Sequence, residues 1–229
     1  MRSEHAITTV LFDAGGTLVH LDYFFLHKEL RRVGIPVTCR AIRRAEYAAR
    51  REVDRRALGL SQDTDEARRH PYFSALLDEL GVDTTTIELL LQRLEAAHRH
   101  DNLWRVMMPS TPRVLADLRE HGLRLGVASN ADGRIADILR NCGIEQFFDV
   151  IIDSHHVGVE KPDPRIFHAA LEQMEVRTEQ AMFVGDIYSI DVLGAQRAGL
   201  RPLLIDVLGC YGNVQCEKIQ HLGELLTLV

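Results

Sequence analysis

Five side chains, Asp13, Ser129, Lys161, Asp186 and Asp191, have the types and settings to do chemistry together. Asp13 sits in the run Val10-Leu-Phe-Asp-Ala-Gly-Gly-Thr-Leu18, where an apolar stretch ends on a carboxylate and turns at once through Gly15 and Gly16. A strand that stops there presents its last side chain at a sheet edge, open to a ligand. A carboxylate in that setting serves as nucleophile or metal ligand. Ser129 ends a second apolar run, Leu123–Ala128. Lys161 follows a third run after a loop, and Asp186 closes a fourth with Asp191 shortly behind it.

To gather these side chains, the chain must bring the ends of its apolar runs side by side. Strand patterns at 8–18, 123–128, 149–153, 181–184 and 202–205 alternate with helical ones. Thr111-Pro112 opens a helix ending at Gly122, Gly133–Asn141 stops before Gly143, and Asp163-Pro164 caps Arg165–Met174. Ile190–Ala198 and Glu217–Leu228 complete the helical set. Alternation of this kind predicts an α/β fold, a Rossmann-like parallel five-stranded sheet covered on both faces. Ligands of such sheets sit at the carboxyl ends of the strands, where Asp13, Ser129 and Asp186 fall and where Lys161 and Asp191 are expected to converge with them.

Between about Asp22 and Trp104 the pattern is helical throughout. Leu26, Leu30 and Val33 keep helical spacing, and Ile42, Ala45, Ala49 and Val53 form a second stripe ending near Gly59. Tyr72–Leu80 stops at Gly81, and Thr84–His100 carries Ile87, Leu90, Leu91 and Leu94. The expected organisation is a core of residues 1–20 and 106–229 interrupted by a helical bundle of residues 21–105.

The chain has 229 residues, 46% of them hydrophobic, and a net charge of -6. Without a basic stripe, nucleic acid is not an expected partner. Without an apolar stretch of spanning length, neither is a membrane. Met1–His5 meets a strand rather than a signal-peptide segment, so a cytoplasmic location is expected. Cys39, Cys142, Cys210 and Cys216 form no CxxC pair, which argues for reduced thiols and against zinc. The sequence leaves monomer or homodimer open.

Four runs, Asp13-Ala-Gly-Gly-Thr17, Ser129-Asn130, Lys161-Pro162 and Gly185-Asp-Ile-Tyr-Ser-Ile-Asp191, stand in this order at strand ends over nearly the whole chain. The set resembles the signatures of the haloacid dehalogenase-like hydrolase superfamily. The insertion after the first run resembles the cap of its phosphoglycolate phosphatase-like and 2-haloacid dehalogenase-like branch. The resemblance implies that Asp13 attacks phosphorus to form an aspartyl phosphate. It implies that Asp13, the Gly15 carbonyl and Asp186 hold Mg²⁺, with Asp191 supporting the ion directly or through water. Ser129 and Lys161 would grip the phosphoryl oxygens of a small phosphorylated substrate, with Gly16, Thr17 and Asn130 in the same binding set. Thr17 equally suits the turn, and Ser129-Asn130 equally suits a helix cap.

Physics supports the implied ion. Carboxylates about 4 Å apart repel by on the order of 4 kcal/mol per pair at an effective dielectric near 20. A divalent cation and Lys161 offset that repulsion, and oxygen-only donors suit Mg²⁺.

One departure matters. Phosphatases of this family usually carry a second Asp two residues after the nucleophile, as general acid and base; here that position is Gly15. Such assistance contributes roughly 10²–10⁴-fold. Four readings follow: a substrate with a good leaving group, a substitute such as His20 or Asp22, hydrolytic 2-haloacid cleavage, or a weakly active or non-catalytic phosphometabolite-binding protein. Dehalogenases of the family usually place a Tyr there and need no Mg²⁺, so the acidic pair Asp186 and Asp191 favours phosphoryl chemistry. A phosphonatase-like route would want a lysine in the insertion, where Lys28 alone stands, and ranks last.

Other residues have plainer expectations. His155-His156 is expected on a surface loop, His98 and His100 at a solvated helix end, and the arginines of Arg40–Arg56 on a charged outer face. Trp104, Met107 and Met108 are expected to pack.

Overall fold

The computed structural model describes residues 6–58, 64–212 and 214–229; the expectations at Met1–His5 and Gly59 lie outside them. The chain divides into two compact units, Met1–His20 with Val106–Val229, and Leu21–Arg105. Strands are β1 (Thr9–Phe12), β2 (Val19–Leu21), β3 (Trp104–Met107), β4 (Arg124–Ser129), β5 (Val150–Asp153), β6 (Ala181–Gly185), β7 (Arg201–Ile205) and β8 (Glu217–Ile219). Helices α1 (Tyr23–Arg32), α2 (Cys39–Leu58), α3 (Asp65–Glu79) and α4 (Thr84–His100) belong to the second unit. The first holds α5 (Thr111–Glu120), α6 (Ile135–Asn141), α7 (Ser154–Val157), α8 (Pro164–Gln173) and α9 (Leu193–Arg197).

The first unit is built on a six-stranded sheet in the order β5-β4-β1-β6-β7-β8, with neighbouring strands parallel throughout. Central β1 is wholly buried, as its unbroken apolar run requires. It pairs Phe12 with Val127 on one side and with Val184 on the other, so Asp13, Ser129 and Asp186 leave the sheet at one edge. Helix α8 packs Ile166, Phe167, Ala170 and Leu171 into the core with Leu11, Ala128 and Phe183. The rings of Phe167 and Phe183 meet edge-on at 4.8 Å. No helix among the described residues is long and apolar enough to cross a membrane.

The sheet has one strand more than the five expected. Glu217–Ile219, read from sequence as the start of a helix, pairs with β7, and a 3₁₀ turn over Leu222–Thr227 follows. Three residues, two of them charged, show no period of two; the open edge of β7 decides their conformation. Likewise Tyr188–Val192 forms a π-helical turn before α9 instead of a regular helix starting at Ile190.

In the second unit, Asp22, Thr64 and Asp83 cap α1, α3 and α4 by accepting from the backbone N–H groups of Phe25, Ala67 and Thr86. The expected stripe of α2 is buried, and Arg40, Arg44, Arg51, Arg55 and Arg56 lie exposed on the charged outer face expected for its arginines, but three charges depart from it. Glu46, Arg50 and Asp54 repeat every four residues beside Ile42 and lie buried with it. Glu46 accepts from the hydroxyls of Tyr23 and Tyr72, the latter at 2.7 Å, and from Arg50 Nη2 at 3.3 Å. Burial and that carboxylate hold both phenols protonated, well above the ordinary tyrosine range. His98 departs from expectation too: it is buried, edge-on to Trp104 at 5.8 Å, whereas His100 is exposed. The two points of passage between units, β2 and β3, form a separate two-stranded sheet.

Candidate active site

Asp13 follows β1 directly, and its backbone N–H donates to Val184 O at 2.8 Å, tying it to β6. The chain then turns: the N–H groups of Leu18 and Val19 both donate to Ala14 O at 2.9 Å. Gly16 takes φ +91°, a conformation that a side chain disfavours. A Cβ at Gly16 would also lie 2.3 Å from Asp186 Oδ2, so the turn presses its bare backbone against that carboxylate.

Buried Lys161 joins two of the acids. Its Nζ donates to Asp13 Oδ1 at 2.5 Å and to Asp191 Oδ1 at 2.8 Å, and lies 5.1 Å from the Phe183 ring centre. Ser129 Oγ donates to the same Asp13 oxygen at 3.4 Å. The second oxygen of Asp191 accepts from the N–H groups of Asp186 (3.0 Å) and Ile187 (2.9 Å). That geometry depends on the π turn over Tyr188–Val192, which carries Asp191 back under the end of β6. Gly185 makes room, since a Cβ there would lie 2.4 Å from Asp191 Cγ.

Asp13, Asp186 and Asp191, all buried, each offer a carboxylate oxygen within 4.8 Å of the others. Three carboxylates face one ammonium, so the cluster has two negative charges to spare when fully ionised. Burial pushes Asp13 up to about 6, against the pull of Lys161 and with the like charge of Asp191 adding to the rise. Burial alone would lower Lys161, but Asp13 and Asp191 outweigh it and hold the ammonium protonated. Hard oxygen donors with surplus negative charge suit a small divalent cation. The residues present therefore fit such an ion, with Asp13, Asp186 and the Gly15 carbonyl as candidate ligands.

The remaining sequence candidates have definite places. Gly15 and Gly16 form the turn, and Thr17 is buried with its hydroxyl bonded to no other group. Asn130 turns its amide onto Lys161, accepting from the backbone N–H at 2.7 Å and donating to the carbonyl at 3.0 Å. Two site neighbours escaped sequence reasoning. Asp206, buried after β7, accepts from the N–H groups of Cys210 (2.7 Å) and Tyr211 (3.0 Å). Tyr211, placed by that loop, points its hydroxyl at Asp186 O, 3.5 Å away. Asp206 carries the signal that marks Asp13, a carboxylate ending an apolar run; Tyr211 carries none.

Residues 7–199 match the haloacid dehalogenase-like hydrolase family. The chain belongs to that family. A haloacid dehalogenase-like hydrolase domain-containing protein 3 of Bos taurus is 33% identical over 123 residues, 54% of this chain and 49% of that protein. The chain thus spans about half the length of the cattle relative. A glyceraldehyde 3-phosphate phosphatase of Methanopyrus kandleri is 33% identical over 201 residues, 85% of this chain and 82% of that protein. The crystal structure of an L-2-haloacid dehalogenase superposes with a TM-score of 0.65 at 24% identity, covering 98% of this chain and 99% of that one. The likeness to that structure is one of fold.

Proposed function

We propose that this chain is a Mg²⁺-dependent phosphohydrolase that acts on a small phosphorylated metabolite through an aspartyl phosphate on Asp13. The observation that carries the reading is the buried cluster of Asp13, Asp186 and Asp191 around Lys161, an oxygen-only set with charge left for a divalent ion. A dehalogenating carboxylate attacks carbon and has no use for that surplus. The phosphatase of Methanopyrus kandleri, matched over most of its length, supports the same choice.

In this reading an Asp13 carboxylate oxygen forms a bond to phosphorus while the bond to the leaving oxygen breaks, the electron pair departing with the leaving group. Bound Mg²⁺, held by Asp13, Asp186 and the Gly15 carbonyl, would neutralise charge on the transferring phosphoryl group. Lys161 and Ser129 exchange their bonds to Asp13 for bonds to phosphoryl oxygens. Asp191 keeps Lys161 and the backbone of Asp186 in place, and Gly16 and Thr17 border the phosphoryl group. Water then attacks phosphorus, its oxygen bonding as the bond to Asp13 breaks. The electron pair returns to Asp13 as carboxylate, the phosphoryl group leaves as inorganic phosphate, and the proton lost by the water passes to phosphate or solvent. Residues 21–105 act as the cap that selects substrate, and residues 1–20 with 106–229 carry the chemistry.

Gly15 supplies no proton to the leaving group. Acyl and aryl phosphates, whose leaving groups depart as anions, are therefore the expected class. The same glycine favours a second reading, 2-haloacid hydrolysis, because halide needs no proton either. A substrate panel with and without Mg²⁺ separates them. Acetyl phosphate and p-nitrophenyl phosphate should turn over faster than alkyl phosphates, and only with the metal. Metal-independent chloride release from 2-chloropropionate would replace the phosphatase reading. Binding of phosphate esters without any turnover would mark a phosphometabolite-binding protein.

A further inference from the structure

Two loops that carry site residues are cross-braced by side chains whose bonds all go to backbone. Asn130 clamps both polar backbone atoms of Lys161, at 2.7 and 3.0 Å. Buried Ser154 does the same to Ala131: its Oγ accepts from the N–H at 3.0 Å and donates to the carbonyl at 3.1 Å. Asp153, which pairs with Ser129 across β4 and β5, adds an oxygen for the N–H of Ile135 at 3.3 Å. The end of β5 thus fixes the loop after β4, and Asn130 in that loop fixes the residue that places the ammonium against Asp13.

Both polar atoms of Asn130 reach a single residue, in the complementary sense of a donor meeting C=O and an acceptor meeting N–H. A side chain held at two points cannot rotate about its last torsion without losing a bond. Lys161 has a long, flexible stem and follows a loop, so its ammonium position depends on where its Cα is held. A displacement of about 1 Å at a reacting group costs on the order of 10²-fold in rate.

We propose that Asn130 is a positioning residue that fixes Lys161 through its backbone, braced in turn by Ser154, and that its side chain does not itself contact substrate. The inference rests on the phosphatase reading, since Lys161 is taken to hold the phosphoryl group. A double-mutant cycle tests it, with Asn130→Ala and Lys161→Ala alone and combined. The readouts are p-nitrophenyl phosphate turnover (kcat/KM) and inorganic phosphate affinity at saturating Mg²⁺. Asn130→Ala should lower both by about 10- to 100-fold in the natural background. In the Lys161→Ala background it should change them by less than about 2-fold, the margin expected for a spent interaction. Equal losses in the two backgrounds would show that Asn130 meets substrate directly and would overturn the proposal, as would an Asn130→Ala protein of unchanged affinity and turnover. If Asn130→Ala does not fold, Asn130→Asp replaces it. That variant keeps the acceptor for Lys161 N–H and sets an oxygen against Lys161 O, and the same cycle applies. A natural protein that neither hydrolyses nor binds phosphate overturns the phosphatase reading and the brace together, whereas an active one with an additive cycle overturns the brace alone.

Discussion

Alanine at Gly16 would meet two obstacles at once, a positive φ and the Asp186 carboxylate 2.3 Å from the new Cβ. Gly34 separates them, having φ +82° and nothing within 4 Å of its Cβ position. Each substitution is expected to lose about 1–2 kcal/mol from the backbone alone. Only Gly16→Ala should also weaken Mg²⁺ or Mn²⁺ binding, by about 10- to 100-fold as for other disturbed ligand supports, which calorimetric titration reads. At Gly15 the expected change is a gain. Gly15→Asp restores an acid, and alkyl phosphate hydrolysis should rise by roughly 10²-fold while acyl phosphate turnover moves little. Initial rates on the two classes decide this. That Asp13, Ser129 and Asp186 meet at one sheet edge was readable, because each closes an apolar run. What they bond to was not. The Asn130 clamp joins residues 31 positions apart, and no local pattern announces such a pairing.

At the scale of elements, the parallel strands were legible because burial on both faces writes them as plain apolar runs, whereas β8 had no such writing. Helix α2 keeps its expected arginine face at Arg40, Arg44, Arg51, Arg55 and Arg56 but fails in the opposite way at three charges. Glu46, Arg50 and Asp54 looked like a solvated face because their charge was counted and their four-residue spacing beside Ile42 was not. Close packing of the strands depends on small residues. A Cβ at Gly126 in β4 would stand 2.7 Å from Leu11 Cδ2, 2.9 Å from Val150 Cγ1 and 3.0 Å from Met174 Sδ. Gly126→Ala should therefore destabilise the protein by about 1–3 kcal/mol through overpacking, despite the better strand propensity of alanine. Urea unfolding should show a lower midpoint with an unchanged slope.

For the whole molecule, the helical unit enters and leaves the chain at one place. Asp22 N–H donates to Leu103 O at 2.8 Å, and Arg105 Nη2 reaches Asp22 Oδ2 at 2.9 Å. Insertions with adjacent ends are commonly removable. Replacing residues 23–102 with a turn of about 2–5 residues should leave a sheet unit that folds cooperatively and still binds Mg²⁺. Circular dichroism melts and titration check this; a chain that stays unfolded would contradict it. The position of β1 also has a consequence during synthesis. Its partners β4 and β6 are encoded far downstream. At roughly 5–20 residues per second, a ribosome leaves that apolar segment without a neighbour for on the order of ten seconds. The helices, whose contacts are local, are made in the interval and can form first. The nascent chain therefore carries a sticky, unpaired strand ahead of helices that can close on themselves, exposed to aggregation until its neighbours are made.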